Sequence, residues 1–163
     1  MGALTGNVAA GVGVTMVGET MPGAAFLDPA LWRGPETILL VEDEEFVRKV
    51  TAEVLESAGY KLVIAPGGAE ALDAYGRLSA PVDLLLADVV MPGMSGRDLA
   101  TKFESLCPRG RVLFMSGYAG QLASFHLSPY GKTYLAKPFS VHVLLRKVRE
   151  VLDTNPFNRG ASA

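Results

Sequence analysis

Residues 82–88 read VDLLLAD, a largely apolar run that ends in the acid Asp88. A short run of this kind is typical of a strand that is buried on both faces of a parallel sheet. Four more such runs lie at residues 37–41, 60–65, 111–115 and 133–136. Amphipathic stretches separate the runs, so the pattern predicts five βα units that build one parallel sheet with helices on both faces.

The amphipathic stretches predict where the helices lie. They cover residues 45–58, 69–78, 121–127 and 141–152, and a further helix carries Leu99, Phe103 and Leu106. The apolar stripe of the first helix contains Phe46, Val47, Val50, Val54 and Leu55, and its polar stripe contains Arg48, Lys49, Glu53 and Glu56. Ser140 is the predicted N-cap of the last helix.

Composition limits the classes of function that fit the chain. Its 163 residues are 49% apolar, as expected of a globular protein with one compact domain. A net charge of −2 gives no basic surface for nucleic acid, so DNA or RNA is not an expected partner. Cys107 is the only cysteine, which excludes an intrachain disulfide and a thiol-based zinc site and fits a cytoplasmic protein.

The two ends of the chain differ from its middle. Residues 1–34 hold seven of the 18 glycines and only three charges, so we expect a glycine-rich, poorly ordered N-terminal extension. Their apolar stretch has no basic start and is broken repeatedly by Gly, Thr and Asn, so we do not expect membrane insertion. The folded domain is predicted over residues 35–153, followed by a flexible tail at 154–163.

Polar side chains stand at the ends of the predicted strands. Glu42 and Asp43 follow the first strand, Asp88 the third, Ser116 the fourth and Lys137 the fifth. In an open parallel α/β sheet, ligands bind outside the carboxyl ends of the strands. The sequence therefore predicts that three carboxylates, a hydroxyl and an ammonium converge on one edge of the sheet.

These residue types in this arrangement suit phosphoryl transfer. Three neighbouring carboxylates repel one another unless a cation neutralises them, and an all-oxygen cluster favours a hard cation such as Mg²⁺. Asp88 then serves as the nucleophile that forms an acyl phosphate. Lys137 and the hydroxyl of Ser116 would bind the oxygens of the transferring group.

Three motifs carry a family resemblance: ILLVED at residues 38–43, DVVMPGMSG at 88–96 and KPF at 137–139. They resemble, in order and spacing, the motifs of two-component response-regulator receiver domains. The resemblance spans about residues 36–153 and implies a flavodoxin-like (βα)5 doubly wound parallel sheet with strand order 2-1-3-4-5. Residues 36–44 and 113–118 are similar to receivers at the C-termini of hybrid histidine kinases.

The resemblance also implies the chemistry of the site. It implies Mg²⁺-dependent phosphorylation of Asp88 by a phosphohistidine donor, either a histidine kinase or a histidine phosphotransfer protein. The implied metal ligands are the carboxylates of Asp43 and Asp88 and the main-chain carbonyl of Val90, with Glu42 acting through water. The chain would be a signalling domain with self-catalysed phosphorylation and dephosphorylation, a monomer or weak dimer, and its downstream target is left open.

A conformational switch is implied as well. Ser116 matches the family's switch hydroxyl, which moves toward the phosphoryl group, and Tyr134 matches the switch aromatic, whose ring turns inward. Lys137-Pro138 matches a peptide bond that is cis in the family. Phe139 is predicted to belong to the core.

Three other functions compete with this interpretation. A phosphatase of the haloacid-dehalogenase type needs a second acid two residues after its nucleophile, where this chain has Val90. A flavodoxin-like electron carrier needs a Ser/Thr-rich phosphate loop, whereas residues 42–45 are all acidic and would repel a cofactor phosphate. A receiver-like binding module that is never phosphorylated stays open as an alternative.

Overall fold

The computed structural model describes residues 32–117 and 134–154. The strands are β1 (Thr37–Val41), β2 (Lys61–Ala65), β3 (Leu84–Asp88), β4 (Arg111–Ser116) and β5 (Tyr134–Ala136), and the helices are α1 (Glu45–Ser57), α2 (Gly68–Gly76), α3 (Gly96–Leu106) and α4 (Val141–Asp153). The helix predicted at 121–127 lies outside the described residues. No helix within the described ranges is both long and apolar enough to cross a bilayer.

The five strands form one sheet with the order β2-β1-β3-β4-β5, in which every neighbouring pair is parallel. This confirms the flavodoxin-like topology. β1 is an interior strand of the sheet, because Leu39 pairs with Val63 of β2 on one side and with Leu85 of β3 on the other. The chain order reverses between β1 and β3, and a crevice is expected beyond the carboxyl ends of these two strands.

The core lies in two layers, one on each face of the sheet. Successive side chains of a strand point to opposite faces. Ile38 and Leu40 accordingly pack on the side of α1 and α4, whereas Leu39 and Val41 pack on the side of α2 and α3. All four are completely buried. Burial of this kind stabilises a domain by about 25 cal/mol for each Å² of apolar surface removed from water, so β1 is firmly held between the two layers.

Several predicted boundaries shift by one or two residues. β3 begins at Leu84 and includes Asp88, and β4 includes Ser116, whereas the sequence placed both polar residues just beyond their strands. The ladder continues because Asp88 pairs with Met115 across the two strands. The backbones of Asp88 and Ser116 are therefore fixed by the sheet rather than by loops.

Two apolar residues were assigned to buried helix faces wrongly. Phe46 in the first turn of α1 is 55% exposed, and Leu106 at the end of α3 is 57% exposed. The buried face of α1 is narrower than the predicted stripe and is formed by Val47, Thr51, Ala52 and Leu55, so Phe46 lies beside it. Leu106 follows Phe103, the last buried residue of α3, whereas the predicted core residue Phe139 is indeed buried.

Side-chain caps fix the start of two helices. The hydroxyl of Ser140 accepts a hydrogen bond from the backbone N–H of Val143 at 3.2 Å, which confirms the predicted N-cap of α4. The hydroxyl of Ser95 accepts one from the N–H of Asp98 at 3.2 Å and donates to the carboxylate of Asp98 at 2.7 Å. Caps of this kind contribute about 1 kcal/mol each.

The segment before β1 packs against α4. Tyr60 donates from its hydroxyl to the carbonyl oxygen of Trp32 at 2.9 Å, and the Trp32 ring meets the His142 ring edge to face with centroids 5.5 Å apart. The guanidinium of Arg149 donates to the carboxylate of Glu36 at 2.7 Å. This ion pair is mostly shielded from solvent, with exposed side-chain fractions of 16% and 24%, and it holds the pKa of Glu36 below its usual value.

We expect Glu36→Gln to lower the free energy of unfolding at pH 7 by roughly 1 kcal/mol, since a hydrogen bond to a charged group is lost. Because the folded-state pKa of Glu36 is lowered, its contribution is present above the unfolded pKa and is lost as the pH falls through the folded one. Urea denaturation of both proteins should therefore show a difference at pH 7 that shrinks near pH 3. Glu150→Gln, which removes an exposed pair with Lys147 on the same helix, is the control and should change stability little. A constant difference between pH 7 and pH 3 would contradict this account.

Candidate functional site

The two acids that follow β1 differ in the exposure of their side chains. Glu42 is 1% exposed, whereas the next residue, Asp43, is exposed. The guanidinium of Arg48 donates to the carbonyl oxygens of Glu42 at 2.8 Å and Asp43 at 3.2 Å, and so ties this loop to the second turn of α1. The loop therefore holds one carboxylate inside the edge of the sheet and one at its surface.

Asp88 ends the neighbouring central strand. Its Oδ1 accepts a hydrogen bond from the backbone N–H of Val90 at 3.0 Å. The carbonyl oxygen of the next residue, Val89, accepts a hydrogen bond from the N–H of Gly96 at 3.0 Å. This bond holds the first residue of α3 close to the end of β3. A Cβ on Gly96 would overlap the carbonyl oxygen of Asp88, so a glycine is needed for this close approach.

Lys137 joins the acids of both strands. Its backbone N–H donates to the carbonyl oxygen of Ser116 at 2.8 Å, and the Lys137–Pro138 peptide bond is cis, as the family resemblance implied. The ammonium lies 2.6 Å from Oε2 of Glu42 and 2.7 Å from Oδ2 of Asp88. Only 12% of the lysine side chain is exposed, so this bridge is well shielded from solvent.

Ser116 and Tyr134 lie beside this group. Ser116 is 1% exposed and stands at the end of β4, one residue beyond the partner of Asp88 in the ladder. The hydroxyl of Tyr134 donates to the carbonyl oxygen of Ser116 at 3.0 Å, and its ring is half-buried against the core beneath α2 and α3. A hydrogen bond thus connects the two residues directly, so a movement of either residue would change this bond.

The three carboxylates are placed to hold a cation. One oxygen from each of Glu42, Asp43 and Asp88 lies within 4.8 Å of the others. Lys137 pairs with two of the three carboxylates, so the carboxylates, when ionised, outnumber the cation that pairs with them. A small divalent cation that prefers oxygen ligands, such as Mg²⁺, fits both the donor atoms and this excess of negative charge.

The protonation equilibria reflect this crowding of charges. Burial raises the pKa of Glu42, and Lys137 acts against that rise while the nearby carboxylate of Asp88 adds to it. Burial disfavours the charged form of Lys137, but its hydrogen bonds to Asp88 and Glu42 outweigh burial, and the pKa of the lysine is raised. Lys137 is therefore a permanent cation at neutral pH.

The structure thus brings together most of the predicted site residues. Glu42, Asp43, Asp88 and Lys137 form one cluster, and Ser116 and Tyr134 border it. The role of the Val90 carbonyl stays a prediction.

The sequence pattern does not predict two residues that contribute to the site. The pattern of the sequence places Arg48 on the polar stripe of α1. Side chains of a helix lean toward its N-terminus, and this brings the Arg48 guanidinium within reach of the preceding loop. Gly96 was assigned to a turn, but it is the first residue of α3 and packs on Asp88.

The chain is similar to proteins of one family. The family model described as response regulator receiver domain matches residues 38–149. The response regulator receiver protein CpdR of Brucella abortus is 35% identical over 117 residues, which are 71% of this chain and 95% of that protein. The sensor kinase CckA of Brucella abortus is 39% identical over 121 residues, which are 74% of this chain but only 13% of the kinase.

A solved structure of a response regulator has the same fold. The response regulator protein TrrA from Thermotoga maritima, in complex with Mg²⁺ and beryllium fluoride, superposes with a TM-score of 0.62 and 29% identity. The match covers 71% of this chain and 98% of that one.

Proposed function

This chain belongs to the response regulator receiver domains of two-component systems, which accept a phosphoryl group, and we propose that Asp88 is the acceptor. The single observation that carries the proposal is the position of the Asp88 carboxylate at the end of a central strand. There it lies 2.7 Å from a shielded ammonium and within 4.8 Å of two further acids. This is the arrangement that a phosphoryl acceptor needs, because the incoming group carries negative charge.

Asp88 needs no general base, since an ionised carboxylate is itself the nucleophile. One of its oxygens bonds to phosphorus as the bond between phosphorus and the imidazole nitrogen of the donor breaks, and that nitrogen keeps the electron pair. The N–H of Val90 orients one carboxylate oxygen of Asp88, and Lys137 contacts the other. Lys137 is thereby placed to bind the oxygens of the transferred group.

The proposed cofactor is Mg²⁺, which would neutralise the carboxylates and the charge on the phosphoryl oxygens. Asp43 and Asp88 would hold it directly, together with the main-chain carbonyl of Val90, and Glu42 would contribute through a water molecule. The oxygen donors of the acids and their negative charge support this assignment. The complex of TrrA with Mg²⁺ and beryllium fluoride supports it by analogy.

Ser116 and Tyr134 would convert phosphorylation into a conformational signal. The hydroxyl of Ser116 would turn toward the phosphoryl group, and the hydrogen bond from Tyr134 to the Ser116 carbonyl would then adjust or break. The proposed donor is a phosphohistidine of a histidine kinase or of a histidine phosphotransfer protein in the cytoplasm. On this proposal the domain is a signalling element that catalyses only its own phosphorylation and dephosphorylation.

The test is phosphorylation by a small donor. Incubated with acetyl phosphate and Mg²⁺, the protein should gain a single phosphoryl adduct by intact mass measurement. The same incubation with excess EDTA should give no adduct, because the negative charge of the acids would repel the donor. A protein that stays unmodified with several small donors at saturating Mg²⁺ would favour the alternative of a binding module that is not phosphorylated.

A further inference from the structure

Glu42 occupies an unusual position for an acid. Among the residues that the structure describes, it is the only charged side chain that is fully buried, with 1% of it exposed. A carboxylate is costly to remove from water unless it is paired and hydrogen-bonded. Its exposed neighbour Asp43 meets no such cost. The burial of Glu42 therefore calls for a specific partner.

Both carboxylate oxygens of Glu42 are occupied by the chain itself. Oε1 accepts the backbone N–H of Glu44 at 3.1 Å, and Oε2 accepts the ammonium of Lys137 at 2.6 Å. The first bond fixes the rotation of the carboxylate, so that the second oxygen faces the end of β5. Glu42 is thus held by its own loop in the orientation that receives the lysine.

Lys137 connects this buried acid to the acceptor. Its ammonium donates to Glu42 and to Asp88 at nearly equal distances of 2.6 and 2.7 Å. A lysine side chain is long and flexible, so with Asp88 as its only partner the ammonium could take many positions. A second anchor, 95 residues away in the sequence, limits the positions that the ammonium can take.

We propose that Glu42 is a positioning residue that holds the ammonium of Lys137 against Asp88, before any phosphoryl group arrives. The inference rests on the proposed function and deepens it. Direct binding of the metal is left to Asp43, Asp88 and the main-chain carbonyl of Val90, and the contribution of Glu42 through water is secondary. An ammonium that is already in position can stabilise the negative charge of the transferred group without rearranging first. Stabilisation by groups positioned in advance is usually the largest contribution to catalysis in such sites.

The first test needs no phosphorylation. In metal-free protein, the Lys137 ammonium should give a slowly exchanging signal in ¹⁵N NMR, with a scalar coupling across the hydrogen bond to the carboxylate carbon of Glu42. Lys137→Met identifies the signal by removing it. Glu42→Gln should abolish or markedly shift it, whereas the matched variant Asp43→Asn should leave it in place. A wild-type signal without the coupling, or one unchanged in Glu42→Gln, would overturn the proposal.

The second test separates positioning from metal binding. At saturating Mg²⁺, Glu42→Gln should slow phosphorylation by acetyl phosphate about tenfold, because the lysine is misplaced. Its Kd for Mg²⁺ should stay within about threefold of wild type, whereas Asp43→Asn should raise that Kd by more than about tenfold. In a Lys137→Met background, Glu42→Gln should have almost no further effect on the rate.

Other outcomes of this second test would refute the assignment. If Glu42→Gln weakens Mg²⁺ binding as much as Asp43→Asn does, Glu42 acts through the metal. If Glu42→Gln still slows the reaction about tenfold in the Lys137→Met background, it does not act through the lysine. If wild-type protein is not phosphorylated at all, the proposed function fails, and the NMR experiment alone still decides whether Glu42 positions Lys137.

Discussion

Asp88→Asn is expected to reduce phosphorylation by acetyl phosphate and Mg²⁺ by more than about 1,000-fold, since removal of a nucleophile typically costs at least that factor. An amide is not ionised and cannot form the acyl phosphate. Its single oxygen can still accept the N–H of Val90, and Lys137, which loses its bond to position 88, keeps its contact with Glu42. The folded structure should therefore survive while the chemistry is lost. Intact mass measurement over a time course gives the rate.

The control for this variant is Asp73→Asn. Asp73 is an exposed carboxylate of α2 that pairs with Arg77 and lies on a different element from the site. Its replacement should leave the rate of phosphorylation unchanged. Retention of the adduct in Asp88→Asn would mean that another carboxylate accepts the phosphoryl group.

Gly96→Ala should have the second large effect, lowering the free energy of unfolding by roughly 2–3 kcal/mol through overpacking. The added methyl group would overlap the carbonyl oxygen of Asp88, and it would lie 3.0 Å from the Cα of Val89. Both of these are backbone atoms, which cannot turn aside as the end of a side chain can. Either α3 or the end of β3 must move, so we also expect slower phosphorylation of Asp88.

Gly76→Ala is the matched control, because it adds the same methyl group to a helix residue with nothing within 4 Å of the new atom. It should be neutral or stabilising by up to about 1 kcal/mol, since alanine favours the helix. Urea denaturation compares the two variants directly. If Gly96→Ala lowers the free energy of unfolding by no more than Gly76→Ala changes it, the contact between α3 and Asp88 is loose.

The positions of the strands and of the site were predictable because both follow from repetition. Short apolar runs alternate with amphipathic stretches, and in a parallel sheet the residue after each run lies at the same edge. Asp88 and Lys137 are separated by 49 residues in the chain, yet this rule alone brings them together. The family resemblance added the order of the strands. It also implies the switch roles of Ser116 and Tyr134, which stay predictions.

The features that were not predictable depend on distances that a pattern does not contain. The sequence presents Glu42 and Asp43 as an acidic pair, and only the direction of the chain after β1 makes one buried and the other exposed. Phe46 fits the apolar stripe of α1, but the buried face of that helix is narrower than the stripe and leaves Phe46 exposed. The need for glycine at 96 arises from a contact between two backbones, which no periodicity reports.

The most direct test of the central claim is to locate the phosphorylated residue itself. Borohydride reduces an acyl phosphate to an alcohol and releases phosphate, so a phosphorylated aspartate becomes homoserine and is identified by peptide mass spectrometry. After reaction with acetyl phosphate and Mg²⁺, we predict homoserine at position 88 only. Conversion at Asp43 or at another acid, or an adduct that resists reduction, would contradict the assignment of Asp88 as the acceptor.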